Sequence, residues 1–157
     1  MKKDLVILVG PSGVGKSTLL ERALKDFDVL CDTVTVTSRP MRKGESEGLP
    51  YPFVDRAKFE EMIAKGYFIE WAEVHGNLYG TPSTQLEEYW NRGKVAIMDV
   101  DIQGAKTFKA RYPQALTIFI VPPSIDALRQ RVIAREGKAP ADLEVRMQTA
   151  LREIKEA

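Results

Sequence analysis

The residues with the clearest chemical meaning lie in one short segment near the start of the chain. Residues 10–17 read GPSGVGKS, which matches G-x-x-x-x-G-K-[ST] at every fixed position. Glycines let such a loop wrap so that its N–H groups point at phosphate oxygens, and the following helix N-terminus adds partial positive charge. Lys16 can then reach the β- and γ-phosphates, and Ser17 can bind Mg²⁺. The motif predicts nucleoside triphosphate binding by Gly10, Pro11, Ser12, Gly13, Val14, Gly15, Lys16, Ser17 and Thr18.

A carboxylate that could approach this Mg²⁺ through water follows a second apolar run. Residues 94–99 read KVAIMD, and the run DVD at 99–101 would lie where a buried strand leaves its sheet. We interpret Asp99 as this carboxylate. The alternative is that it only forms the turn, as Asp often does after a strand.

Two basic groups suit anionic substrates. Arg39 and Arg42 provide guanidinium forks, and Tyr51 and Tyr79 provide phenol donors, a combination that could clamp a phosphomonoester. The alternative is that these side chains form only a solvated loop surface.

The second basic group consists of Arg131, Arg135 and Arg146, which bracket the Gly/Pro break at 136–140. On a mobile segment these arginines could close over a transferring phosphoryl group and neutralise its charge. Arginines on helix faces are otherwise usually solvated.

Strand and helix patterns that alternate along the chain must position these residues, and they predict a parallel sheet with helices on both faces. Short apolar runs predict buried strands, and apolar residues three and four apart predict helices. The predicted strands are 5–9, 94–99 and 116–121, and the predicted helices are 17–27, 102–112, 124–135 and 141–156.

The segment between residues 33 and 93 has a different pattern and predicts a smaller α+β insertion. Alternation with period two indicates half-exposed strands at 33–37 and 68–74. A capped helix is expected at 55–65, a turn at 76–80, and a helix from Pro82 to Gly93.

Composition excludes several classes of protein. The chain has 157 residues, a net charge of +1, one cysteine and one histidine, which rules out a disulfide framework and Cys- or His-rich metal sites. The balanced charge gives no global field for nucleic acid or a membrane surface, so neither partner is expected. The opening apolar run at 5–9 is too short for a signal peptide or a membrane span, and we expect a cytoplasmic protein with one core.

The chain resembles the guanylate kinases over nearly its whole length. The resemblance rests on residues 10–19, 37–48 with Tyr51 and Phe53, 68–81, 98–105, and 129–136 with Arg146. The resemblance implies a P-loop NTPase-type core and transfer of the ATP γ-phosphoryl group to GMP with Mg²⁺, in purine nucleotide metabolism. It also implies a monomer or weak homodimer and one more strand and helix after Ala157, so we expect the natural chain to be longer.

The resemblance further implies roles for individual residues. The catalytic residues would be Lys16, Arg39, Arg131, Arg135 and Arg146. Ser17 and Asp99 would hold Mg²⁺, the latter through water. The GMP-binding residues would be Thr35, Arg39, Arg42, Tyr51, Glu70, Tyr79, Thr81 and Asp101. The implied parts are the core (1–33, 87–124 and the helix 147–157), a GMP-binding insertion (34–86) and a lid (125–146).

Guanine chemistry agrees with Glu70 as the base reader. Guanine presents N1–H and N2–H₂ donors that one carboxylate can accept together, whereas adenine would leave Glu70 unpaired. Thr35 stands where a serine is usual, and keeps the hydroxyl. Two alternatives stay open: a guanylate-kinase-like scaffold module that binds proteins without catalysis, and a kinase of similar fold for another phosphate acceptor.

Overall fold

The computed structural model describes residues 4–41, 45–48, 52–74 and 76–156. They fall into two compact units: unit 1 comprises Met1–Asp4 and Cys31–Ala96, and unit 2 comprises Leu5–Leu30 and Ile97–Ala157. The elements are β1 (Leu5–Val9), α1 (Lys16–Asp26), β2 (Leu30–Asp32), β3 (Val36–Thr37), α2 (Arg56–Ala64), β4 (Phe68–Val74), β5 (Asn77–Pro82), α3 (Ser83–Asn91), β6 (Val95–Asp99), α4 (Ile102–Arg111), β7 (Leu116–Phe119), α5 (Ile125–Glu136) and α6 (Leu143–Glu156).

A four-stranded sheet with the order β2-β6-β1-β7 forms the core and is flanked by helices, as predicted. β1 and β7 pair in parallel, from Val6 opposite Leu116 to Val9 opposite Phe119. The apolar run of β1 predicts a strand covered on both faces, and Leu5, Ile7, Leu8 and Val9 are all buried. In this topology the residues after β1 and β6 leave the same edge of the sheet.

The helices of unit 2 begin and end within two residues of their predicted bounds. Asp101 caps α4 by accepting from the N–H of Gly104 at 2.7 Å, and Ser124 caps α5 by accepting from the N–H of Ala127 at 3.0 Å. α5 and α6 pack on the loop after β1 through one apolar cluster, Val14, Leu128, Val132, Leu143, Met147 and Ala150.

Unit 1 contains an antiparallel sheet with the order β3-β5-β4. One face of this sheet packs on α2, and the shared core consists of Val36, Phe59, Phe68 and Leu78. Asp55 caps α2, as its position before the helix predicts, by accepting from the N–H of Lys58 at 2.7 Å.

The predicted turn at 76–80 is wrong, because residues 77–82 form strand β5. Two glycines and an asparagine are typical of a turn. Gly80 instead serves close packing, since a Cβ there would lie 2.8 Å from Cδ1 of Phe68.

The predicted strand at 33–37 is also wrong over most of its length, because only Val36 and Thr37 are in β3. The backbone N–H and carbonyl of Val34 instead bond the side-chain amide of Gln85, at 2.9 and 3.2 Å. A side chain thus satisfies the groups that a neighbouring strand would otherwise pair.

The prediction that 116–121 is a buried strand is wrong about burial. β7 spans Leu116–Phe119 but lies at one end of the strand order, and Leu116 and Ile118 are 59% and 40% exposed. An apolar run indicates a strand without showing whether the strand is central or at an edge. Within the described residues, no helix is long and apolar enough to cross a membrane.

Candidate functional site

The loop after β1 in unit 2 has the backbone of a phosphate-binding loop. A Cβ at Gly10 would lie 2.4 Å from the carbonyl oxygen of Ile120, so the chain passes too close for any side chain there. Gly15 precedes α1 with a φ of 110°, in the region that favours glycine. The N-terminus of α1 therefore opens directly onto the loop, where its N–H groups attract anions.

Lys16 folds back over this loop. Its Nζ donates to the carbonyl of Gly10 at 2.6 Å and to that of Pro11 at 3.2 Å. Burial lowers the pKa of Lys16, while the charges of Asp99 and Glu153 partly oppose the shift. The ammonium group is thus held in place by backbone carbonyls, with carboxylates nearby.

A cavity of about 430 Å³ adjoins the loop. Its walls include Asp99, Asp101, Arg135 and Glu153 beside the loop itself. Most of the predicted triphosphate segment lines it: Gly10, Ser12, Gly13, Gly15, Lys16, Ser17 and Thr18. Pro11 and Val14 are buried beneath the loop, so these two support its shape.

Ser17 and Asp99 meet in this cavity, as the sequence predicts for a magnesium site. Ser17 Oγ donates to Asp99 Oδ2 at 3.0 Å. Hydroxyl and carboxylate oxygens suit Mg²⁺, which usually takes one or two protein ligands together with substrate phosphates and water. The described residues contain no cluster of three or more acidic, histidine or cysteine residues that could hold a metal ion.

The three predicted lid arginines have different surroundings. Arg135 lines the cavity, and Arg131 donates to the carbonyl of Val14 in the loop at 2.8 Å. Arg146 pairs with Glu136 at 2.7 Å and with Asp142 at 2.9 Å. Two of the three are thus beside the loop, while the third is held by carboxylates of the α5–α6 region.

A second group of polar residues lies on one face of the unit 1 sheet. Thr37 pairs with Tyr79, and Glu70 pairs with Thr81, so these four side chains share the face opposite the apolar core. Thr81 is buried and its Oγ1 donates to Glu70 Oε1 at 3.2 Å. A register shift between Phe68 and Glu70 places that carboxylate opposite Thr81.

Glu70 differs from the other carboxylate of the same strand. Glu73 is exposed and pairs with Arg56 at 3.0 Å, whereas Glu70 is half-buried beside Thr81. Of the two carboxylates in this alternating segment, Glu73 is therefore the solvated one, and Glu70 lies on the polar face beside Thr81.

Arg39 follows β3 and is buried, and its counter-charge Glu45 is half-buried. The Arg39 Nη2 donates to Glu45 Oε1 at 2.7 Å, and Nη1 donates to Glu45 Oε2 at 2.9 Å. The hydrogen bond to Glu45 is the main cause that raises the pKa of Arg39, and Tyr79 adds to the shift. The structure thus brings Arg39 and Tyr79 together, as the phosphate-clamp interpretation requires.

The other predicted residues have separate positions. Thr35 lies in the segment that Gln85 holds, between β2 and β3. Asp101 caps α4 and lines the cavity beside the loop in unit 2. Arg42 and Tyr51 lie outside the described residues.

Sequence reasoning missed two carboxylates. The first, Glu153, lines the cavity beside the loop, and its spacing from the buried Met147 and Ala150 on α6 was a signal that could have indicated it. Burial raises the pKa of Glu153, and the charge of Lys16 partly opposes this shift. The second is Glu45. Its pairing with Arg39 follows no repeating spacing in the sequence that could have indicated it.

Comparison with known proteins gives similarity over the whole chain. A family model described as guanylate kinase matches residues 2–157. A guanylate kinase of Bdellovibrio bacteriovorus is 54% identical over 157 residues, covering 100% of this chain and 85% of that relative. A guanylate kinase of Symbiobacterium thermophilum is 41% identical over 152 residues, covering 97% and 72% respectively. The crystal structure of guanylate kinase from Anaplasma phagocytophilum matches with a TM-score of 0.70 and 36% identity, covering 96% of this chain and 70% of that one.

Proposed function

Since the chain belongs to the guanylate kinase family and is a kinase of that family, we propose that it transfers the γ-phosphoryl group of ATP to GMP by Mg²⁺-assisted in-line displacement, giving ADP and GDP. The observation that carries the proposal is the intact triphosphate cavity, in which Lys16 lies with the Ser17–Asp99 pair. A binding module without catalysis has no need of this set.

The loop of unit 2 binds the triphosphate. Its N–H groups and those at the α1 N-terminus donate to the β- and γ-phosphate oxygens, and Lys16 moves from the Gly10 carbonyl to the phosphates. Ser17 would hold Mg²⁺ directly and Asp99 would hold it through water, and the bound ion would neutralise charge that develops on the phosphates. Arg131 and Arg135 add positive charge beside the loop.

The polar face of unit 1 binds GMP. Glu70 accepts from the N1–H and N2–H₂ groups of guanine, and Thr81 holds the carboxylate in place. Arg39 and Tyr79 bind the phosphate, which is the acceptor in the reaction.

Catalysis in this scheme depends on position and charge rather than on a covalent intermediate. Phosphoryl transfer needs the reacting atoms about 3–3.5 Å apart and in line. We therefore propose that the GMP-binding insertion (34–86) and the lid (125–146) close during the reaction. Closure also excludes water, which would otherwise hydrolyse ATP.

The proposal predicts ATP-dependent turnover with GMP far above that with AMP, CMP or dTMP. A coupled assay of ADP release with each monophosphate measures it. No turnover with GMP, together with tight binding of a protein partner, would favour the scaffold alternative. Equal turnover with several monophosphates would instead favour a kinase for another acceptor.

The base-reading step has its own test in the isosteric variant Glu70→Gln. Loss of a hydrogen bond to a charged group corresponds to about 10- to 100-fold, so the GMP-to-AMP ratio of kcat/KM should fall by that factor while KM for ATP stays within about twofold. Glu73→Gln, on the same strand but paired with exposed Arg56, is the matched control. An equal loss for GMP and AMP would show that Glu70 does not read the base.

A further inference from the structure

The contact between Arg39 and Glu45 differs from the other ion pairs of unit 1. Two guanidinium nitrogens each donate to a different oxygen of the Glu45 carboxylate: Nη2 to Oε1 at 2.7 Å, and Nη1 to Oε2 at 2.9 Å. The two side chains are only 9% and 17% exposed, whereas Arg56 and Glu73 are 51% and 48% exposed. A two-point contact fixes orientation as well as distance, and partial burial protects it from screening by salt.

Further contacts hold the same guanidinium. Its Nη1 donates to the carbonyl of Pro40 at 2.8 Å, and its Cζ atom lies 5.4 Å from the ring centroid of Phe53. The backbone N–H of Arg39 donates to Oγ1 of buried Thr37 at 3.1 Å. The charged head and the backbone of Arg39 are therefore both anchored.

Two roles for Glu45 are chemically possible in such an arrangement. The carboxylate could occupy the place of the substrate phosphate and be displaced by it, which would make it a competitor. It could also stay bound along one edge of the guanidinium and orient the cation. Displacement would leave a carboxylate that is only 17% exposed without its counter-charge, which is unfavourable. A planar guanidinium with five N–H donors can bond anions along more than one edge.

We propose that Glu45 is a positioning residue for recognition of the GMP phosphate, since it holds Arg39 in the orientation in which the phosphate binds. The inference rests on the proposed function and extends it to a residue that contacts no substrate. Without the carboxylate charge Arg39 can adopt several rotamers. The conformational entropy lost when the phosphate orders Arg39 then weakens phosphate binding.

The experiment compares binding of GMP and of guanosine to wild-type protein and Glu45→Gln by calorimetry. We expect about tenfold weaker binding of GMP, as for loss of a charged hydrogen bond, and an unchanged affinity for guanosine within about twofold. In turnover assays KM for GMP should rise while KM for ATP does not. Glu73→Gln is the control, because it removes a carboxylate from an arginine pair of the same unit.

Two further variants show whether Glu45 acts through Arg39. Glu45→Asp keeps the charge but shortens the reach, so its loss of GMP affinity should lie between wild type and Glu45→Gln; it also tests the inference if Glu45→Gln folds poorly. In an Arg39→Gln background, Glu45→Gln should have no further effect on GMP affinity.

Several results would overturn the inference. Tighter GMP binding by Glu45→Gln would identify Glu45 as a competitor of the phosphate. Equal losses for GMP and guanosine would indicate a general structural role, and unchanged GMP affinity would indicate no role. If the wild-type protein turns over a different monophosphate, the proposed function fails, and the same comparison of that nucleotide with its nucleoside decides the inference. If it binds no monophosphate, both fail.

Discussion

Replacing Gly80 with alanine tests the packing that supports the polar face of unit 1. The added Cβ would lie 2.8 Å from Cδ1 and 2.9 Å from Cγ of Phe68, and 3.1 Å from Cζ of Phe59. Carbon atoms in contact are normally about 3.5–4.0 Å apart, so the ring of Phe68 must retreat by more than about 0.5 Å. It cannot simply do so, because the two rings stack with their centroids 4.5 Å apart and Phe59 is fully buried.

The expected cost follows from these contacts. Overpacking a core by one methyl group costs about 1–3 kcal/mol, and alanine recovers about 0.4–1 kcal/mol by restricting the unfolded chain. We therefore expect a net destabilisation of about 1–2 kcal/mol. Gly80 lies between Tyr79 and Thr81, so KM for GMP should rise as the strand shifts, while KM for ATP should not.

Urea denaturation followed by tryptophan fluorescence measures this effect, because both tryptophans, Trp71 and Trp90, belong to unit 1. Phe68→Leu should partly rescue Gly80→Ala, with a coupling energy of about 0.5–3 kcal/mol. Gly76→Ala is the control, since a Cβ there meets nothing within 4 Å and costs only the strain of its φ of +76°. Unchanged stability and KM, or equal rescue of both variants by Phe68→Leu, would refute the reasoning.

Three further predictions concern single sites. Lys16→Ala should abolish phosphoryl transfer while leaving GMP binding measurable by calorimetry, because Lys16 belongs to the triphosphate loop; surviving transfer would contradict its role. Ser124→Ala removes the cap of α5 and should cost about 0.5–2 kcal/mol in a denaturation experiment, whereas Ser124→Asp should not. The pKa of Glu61 is lowered to about 2, mainly by the hydrogen bond from Lys65 and then by that from Lys58. These contacts therefore stabilise the fold above the ordinary carboxyl pKa, and the stabilisation is lost as pH falls through about 2. An NMR titration of Glu61 should show this pKa, and 1 M NaCl should raise it.

Local features of the fold could be predicted from the sequence alone. The β1 strand, the loop from Gly10 to Ser17 and the caps at Asp55 and Ser124 each depend on neighbouring residues, so short-range rules suffice. The predicted turn at 76–80 is wrong because the function of Gly80 depends on Phe68, twelve residues earlier. Rules for turns consider only neighbouring residues, so they cannot account for the Phe68 ring that packs against Gly80.

In the candidate site, too, some residues could be predicted from the sequence, and others depend on contacts between distant parts of the chain. The triphosphate residues are contiguous and meet in one cavity, together with Asp99, whose position at the end of an apolar run was informative. The pairing of Glu70 with Thr81 depends on a register shift that sequence periodicity does not show. Glu45 could not be predicted, because its contact with Arg39, six residues earlier, follows no helix or strand periodicity.

Two arginines of the candidate site, one in each unit, share a property that bears on how a chain with a net charge of +1 would bind strongly anionic ligands. Arg131 is held by the Val14 carbonyl, and Arg39 is held by Glu45. Long side chains such as these lose about 1.5–2 kcal/mol of rotamer freedom when they are fixed, and here folding rather than ligand binding bears that cost. Preorganised charge of this kind is most effective where a transition state develops its own charge, since little reorganisation remains for that moment. Phosphate affinity in this protein should therefore depend more on the groups that hold each cation than on the number of basic residues, so that neutralising a holding carboxylate weakens anion binding even though it makes the protein more positive.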